Sequence, residues 1–204
     1  MRQVNSNELV VQQVEPEADI IPQSHNDLNL DFKKVLDAIA QRAGAIADEL
    51  NLVTHDEYTE NQLTEQMVDG QLGGNGTNSN SNTLSVLLHK AGFAGANVLL
   101  QRSLSGGTPD IILLNVIFPD HANSNLPIVF EVKKVRTRTF NSGSRRGYLR
   151  QVRDYRNQLP GHSPYSILLN FVSDSRDVQI LWCKVDGAFV NVVWHEYTTD
   201  VVFL

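Results

Sequence analysis

A single cysteine among 204 residues, Cys183, rules out any disulfide within the chain. It lies in the apolar stretch "VQILWCKV", where a free thiol behaves as a small hydrophobe, so a buried core thiol is expected there rather than a nucleophile. The six histidines show no HxH or HxxxH spacing and there is no CxxC pair, which argues against a zinc site. No GK[ST] follows "SLSGG", so it is not a phosphate-binding P-loop, and Ser103 and Ser105 lack the His and acid pattern of acyl chemistry. No apolar run approaches the roughly 18 residues of a membrane span. The opening "MRQVNSNELVVQQVEPEAD" has neither the basic start nor the hydrophobic centre of a signal peptide. A soluble cytoplasmic protein with no membrane partner is therefore expected.

What is present suffices for one good core: 41% of the residues are hydrophobic, which predicts one main domain. The net charge of −6 hides an asymmetry. Residues 1–70 hold 14 acidic and 4 basic side chains, whereas residues 131–160 hold 9 basic and 2 acidic ones. A local basic face suits a polyanion whose phosphates need neutralising, while the acidic third would avoid a duplex or bind a protein partner. Lys134, Arg136, Arg138, Arg145, Arg146, Arg150 and Arg153 are the candidates for nucleic-acid contact.

Residues 1–28, with Pro16 and Pro22, read as an arm, with a short strand at "ELVVQQV". From Asp31, the spacing of Phe32, Val35, Leu36, Ile39, Ala43, Ile46, Ala47 and Leu50 predicts an amphipathic helix. "THDE" offers a capping box from Thr54 to Glu57, opening a second helix in which Glu60, Leu63 and Met67 share a face. Residues 29–72 thus form a helical extension leading into the core, and "GGNGTNSNSN" (73–82) a flexible loop. Residues 83–204 form the remaining core: a helix from Asn82 or Thr83 to near Gly92, and strands at "NVLLQRS", "DIILLNV" and "PIVFEVKKV". A helix through "RRGYLRQVRDYRNQL" follows, then strands at "YSILLNFV" and "DVQILWCKV" and one or two in the tail. This order implies an α/β fold with a mixed sheet flanked by helices, since the long helix serves as a crossover.

Charges interrupt two of those strands. Alternation puts Val129, Glu131, Lys133 and Val135 on one face, and a hairpin with "DIILLNV" brings Asp110 toward the middle of the next strand. Two carboxylates held close repel unless a cation lies between them, and hard oxygen ligands without histidine or cysteine select Mg²⁺ or Mn²⁺. Lys133 can balance the acids when the metal is absent, and can orient or deprotonate an attacking water and stabilise a phosphorane-like charge. Gly106 and Gly107 allow a tight turn before Pro109 and leave room for a ligand near Asp110.

"PD", then 20 residues, then "EVK" resembles the PD-(D/E)XK nuclease superfamily, over roughly residues 56–185. The resemblance implies a restriction-endonuclease-like αβββαβ core with an N-terminal helical extension. It implies Asp110 and Glu131 as metal ligands, the Val132 carbonyl as a further ligand, and Lys133 as the group that orients water. "QVRDY" puts Gln151 and Tyr155 four apart on the helix after the catalytic strand, which resembles the QxxxY motif of the RecB-like branch. Family members often add an acid from the first core helix. Glu60 is the candidate; if the helix after the flexible loop takes that place, it offers only His89.

Two functions follow: a Mg²⁺- or Mn²⁺-dependent nuclease cutting DNA, with RNA also compatible, or a nuclease-fold module that binds nucleic acid or protein with little or no catalysis. In a third reading, an unrelated α/β domain, Glu131 and Lys133 form a strand-surface ion pair worth under about 1 kcal/mol. No separate recognition domain is visible, so specificity would come from a partner, a homodimer or a guide.

Overall fold

The computed structural model describes residues 20–22, 28–49, 58–69, 83–100, 107–117, 127–138, 142–159, 165–175, 177–184 and 193–198. The strand expected in "ELVVQQV", the capping box at Thr54 and Glu57, the loop 73–82 and the Arg145 side chain lie outside them.

Helix α1 (Leu30–Glu49) begins where the periodicity predicts. Asn29 Oδ1 accepts from the backbone N–H groups of Asp31 and Phe32 at 2.9 and 3.1 Å, covering two donors that the first turn leaves unpaired. Its buried stripe includes Phe32, Val35, Leu36, Ile39, Ala43 and Ile46. Helix α2 (Glu60–Asp69) starts at a capping box different from the expected one. Thr59 Oγ1 accepts from Gln62 N at 3.3 Å, and Gln62 Oε1 accepts from Thr59 N at 2.8 Å. That register buries Leu63 and Met67 completely and makes Glu60 the first helical residue. At the other end, the buried guanidinium of Arg42 donates through Nε and Nη2 to the Gln66 carbonyl at 3.0 and 2.7 Å, closing one of the last carbonyls of α2. Helix α3 (Leu84–Lys90) is capped by Thr83, and Gly92 follows it at φ +104.

Among the described residues the strands are β1 (Ile20–Pro22), β2 (Asn97–Leu100), β3 (Ile111–Leu114), β4 (Ile128–Val135), β5 (Tyr165–Val172), β6 (Asp177–Lys184) and β7 (Trp194–Tyr197). They form one mixed sheet in the order β1-β7-β6-β5-β4-β3-β2. Strand β3 runs antiparallel to both β2 and β4. Helix α4 (Ser142–Gln158) then carries the chain across so that β5 lies parallel to β4. The chain is thus a mixed α/β protein, as the element order implied.

The two faces of the sheet carry different cargo. Ile111, Leu113, Ile128, Phe130, Val132, Ile167, Leu169 and Phe171 join α1, α2 and α3 in one hydrophobic core, with Phe32 stacked on Tyr165 at 4.0 Å. On the opposite face, Ile112 and Val129 pack under Tyr155 of α4 and Leu159 just after it, and Leu168, Leu181, Cys183 and Trp194 pack near Tyr148 and Leu149. Cys183 is buried, as its apolar surroundings predicted. Ladder pairing of β3 with β4 runs from Leu113 with Ile128 to Ile111 with Phe130, so Glu131 and Lys133 project on the α4 face just beyond it.

Candidate active site

Asp110 immediately precedes β3, where the ladder to β4 ends. Its Oδ2 accepts from Val132 N at 2.8 Å, so a carboxylate takes up a backbone donor of β4 beside the last ladder pair. The same oxygen lies 3.3 Å from Lys133 Nζ. Glu131 Oε2 lies 3.1 Å and Glu60 Oε2 3.6 Å from that ammonium. One lysine therefore gathers an acid from each of three elements: α2, the approach to β3, and β4. The Glu60 side chain reaches the strand through a second contact, its Oε1 accepting from Lys134 N at 3.3 Å.

Burial makes this cluster chemically tense. Glu131 is only 2% exposed, and its Oε1 has no hydrogen-bond partner. Burial first, and then the charge of Asp110, push its carboxyl up to about 7, against the pull of Lys133. Burial alone would lower Lys133, but Glu131, Asp110 and Glu60 together push it above its ordinary value. The ammonium is thus the cation that holds the acids together. Glu60, with a side chain 45% exposed, contributes least because solvent screens it.

The acids at Asp110 and Glu131 fit a hard divalent cation on one specific ground: a carboxylate oxygen with no partner, buried beside a second carboxylate, is a ligand position that protein groups leave unsatisfied. The Val132 carbonyl belongs to the same strand segment. Among the described residues no three His, Cys, Asp or Glu side chains form a metal-holding group, so Glu60 meets the site through Lys133 and the Lys134 backbone.

Helix α4 closes the site from one side. The Tyr155 ring packs on Gly107, whose φ of +141 and lack of a side chain permit the approach: a Cβ there would lie 2.9 Å from Tyr155 Cε1. The Tyr155 hydroxyl donates to the Thr108 carbonyl at 3.3 Å, tying α4 to the loop that presents Asp110. Burial, then the charge of Glu131, push this phenol up to about 12. Gln151, expected beside Tyr155, stands exposed at the rim of that helix face, where Val152 takes the buried position. Tyr148, two turns before Tyr155, is half-buried, and its phenol is raised by burial and by the charges of Glu60 and Glu131, against Lys133. A spacing of seven puts the two tyrosines on one helix face.

The cationic candidates divide. Arg146 and Arg150 are exposed on α4. Arg138 is held by Asp177 and Glu196, Arg136 lies 3.6 Å from Asp174, and Arg153 lies 3.8 Å from Asp154. Lys134 donates to the Tyr58 carbonyl at 3.1 Å. His89 lies exposed at the end of α3. Among the described residues no helix is long and apolar enough to cross a membrane. No family model, curated protein or solved structure matches the chain.

Proposed function

We propose that the protein is a divalent-metal-dependent nuclease of the PD-(D/E)XK kind, hydrolysing phosphodiester bonds of DNA at the Asp110, Glu131 and Lys133 cluster. The observation that carries this reading is the meeting of those three side chains around one ammonium, with a buried Glu131 oxygen unpartnered. The element order from α3 through β2, β3, β4 and α4 to β5 is the order of a restriction-endonuclease-like core, which supports it.

Asp110 and Glu131, with the Val132 carbonyl, would hold Mg²⁺ or Mn²⁺. Bound there, the cation supplies Lewis-acid polarisation of the phosphate and a more acidic water. The chain's own groups do the rest. Lys133, pushed up by its acids, stays an ammonium and donates hydrogen bonds to the attacking water or to charge developing on the phosphate. The Val132 N–H fixes the Asp110 carboxylate through Oδ2, so the group is oriented before substrate arrives. Tyr155 holds the Thr108 carbonyl and with it the approach to Asp110. Arg146 and Arg150, exposed on α4, would meet the polyanion.

Cleavage of single-stranded, linear and supercoiled DNA with Mg²⁺ or Mn²⁺ tests this, beside Asp110→Ala and Lys133→Ala proteins. Loss of cutting in both folded variants is the expected result. No cutting by the wild type on any substrate, together with no metal-induced thermal shift, refutes it. That outcome would favour the second reading, a module that binds nucleic acid or a protein without cutting. One observation speaks for that module: Lys133 engages every carboxylate of the cluster.

A further inference from the structure

Asn170 interrupts the apolar run "YSILLNFV" of β5 and is 2% exposed. Its Nδ2 donates to Gln179 Oε1 on β6 at 3.0 Å, and its Oδ1 has no partner. A buried amide oxygen without a donor is costly and calls for a reason. Turning both amides over would leave a donor unpaired instead, and a donor beside an ammonium is the worse arrangement. The cation nearby is Lys133: it is the Cα partner of Asn170 across the parallel β4–β5 pair, which puts both side chains on the α4 face.

Lys133 has one task in the metal-free protein and needs another when a divalent cation is bound. An ammonium about 3 Å from oxygens that ligate a doubly charged ion is repelled by it. Nζ must then withdraw, yet keep hydrogen bonds. Along β5 the side chains on its face are Ser166, Leu168, Asn170 and Val172; the unpartnered Ser166 hydroxyl lies opposite Val129, four residues back along β4, so beside Lys133 Asn170 is the one with an acceptor to give. Adjacent strands are about 4.8 Å apart, within the reach of a four-carbon stem. Glu60 is the competing seat, but it is half-exposed and its Oε1 already accepts from Lys134 N.

We propose that Asn170 Oδ1 is the second seat of the Lys133 ammonium, a positioning residue that receives Nζ when a divalent cation occupies the Asp110 and Glu131 carboxylates. The proposal rests on the nuclease reading for its metal and goes beyond it in assigning the lysine two positions. Gln179 orients the amide so that its oxygen faces β4.

The test is Mn²⁺ affinity without nucleic acid, read from the electron paramagnetic resonance of the free ion. Asn170→Leu is expected to weaken Mn²⁺ binding roughly tenfold, or about 1.4 kcal/mol, because the displaced ammonium loses its seat. In the Lys133→Met background the same substitution should leave the affinity unchanged. Asn170→Asp, which keeps an oxygen, should bind at least as tightly as wild type. The double variant Asn170→Leu/Gln179→Met leaves no unbonded amide and serves the same comparison if Asn170→Leu alone loosens the sheet. Equal weakening in both Lys133 backgrounds, or none in either, overturns the proposal while leaving the metal site standing. Failure of the wild type to bind Mn²⁺ at all overturns the nuclease reading and this inference with it.

Discussion

Replacing Glu131 with glutamine should stabilise the protein in EDTA and, under the nuclease proposal, abolish cleavage. The Glu131 carboxyl is pushed from its ordinary 4.5 up to about 7, so the folded chain holds a proton that the unfolded chain has released over that interval. A site that binds protons more tightly when folded loses stability as pH rises, here between 4.5 and about 7. At about 1.4 kcal/mol per pH unit, the cost at pH 8 is about 3 kcal/mol. The attraction of Lys133 is already contained in that shift. Glutamine resembles the protonated acid and should recover the whole amount. For a chain of this size that raises the melting temperature by roughly 6 to 12 °C in EDTA at about pH 8. Near pH 5 the difference shrinks below about 1 kcal/mol, because folded wild type is then protonated. Mg²⁺ should narrow the gap at pH 8 by stabilising only the wild type. The reasoning fails if Glu131→Gln is less stable than wild type at pH 8 by an amount that does not change with pH. Glu131 would then be an anion fully satisfied by Lys133.

Gly107→Ala puts a Cβ 2.9 Å from Tyr155 Cε1 at a φ of +141 and should cost about 1–3 kcal/mol in urea denaturation, with cleavage reduced. Tyr155→Phe removes the hydroxyl that bonds the Thr108 carbonyl and lies against Glu131, and should cost about 1 kcal/mol. Arg42→Met leaves the Gln66 carbonyl without its two donors and should cost about 2 kcal/mol; Arg42→Lys should not restore it, since an ammonium lacks the planar fork. Arg146→Ala and Arg150→Ala should each lower the slope of log binding constant against log salt by about 0.9 in DNA titrations, if both meet phosphates. Arg138→Ala should leave that slope unchanged, because Asp177 and Glu196 already hold its guanidinium.

Local pattern was enough for α1, β4, β5 and β6, because a helix or strand repeats its buried positions at intervals set by its own backbone. Alternation within β4 likewise put Glu131 and Lys133 on one face, and the hairpin register brought Asp110 to them. The start of α2 was not legible in the same way. Thr54 with Glu57 and Thr59 with Gln62 carry the same kind of capping signal, and the burial of Leu63 and Met67 accompanies the second. Gln151 and Tyr155 have helix-neighbour spacing, yet packing against Ile112 and Val129 draws Tyr155 in and leaves Gln151 at the rim.

The sequence by itself determined the element types, the mixed sheet and the pair of charges in mid-strand, all properties of neighbouring residues. Only the tertiary structure decided that Glu60, 73 residues before Lys133 in the chain, meets it at 3.6 Å. It also decided that Arg136 and Arg138 are paired while Arg146 and Arg150 face solvent, and that one oxygen of Glu131 and one of Asn170 are buried without partners. Periodicity is written in the geometry of one segment, whereas the charge a side chain feels depends on what distant segments bring within a few ångströms of it.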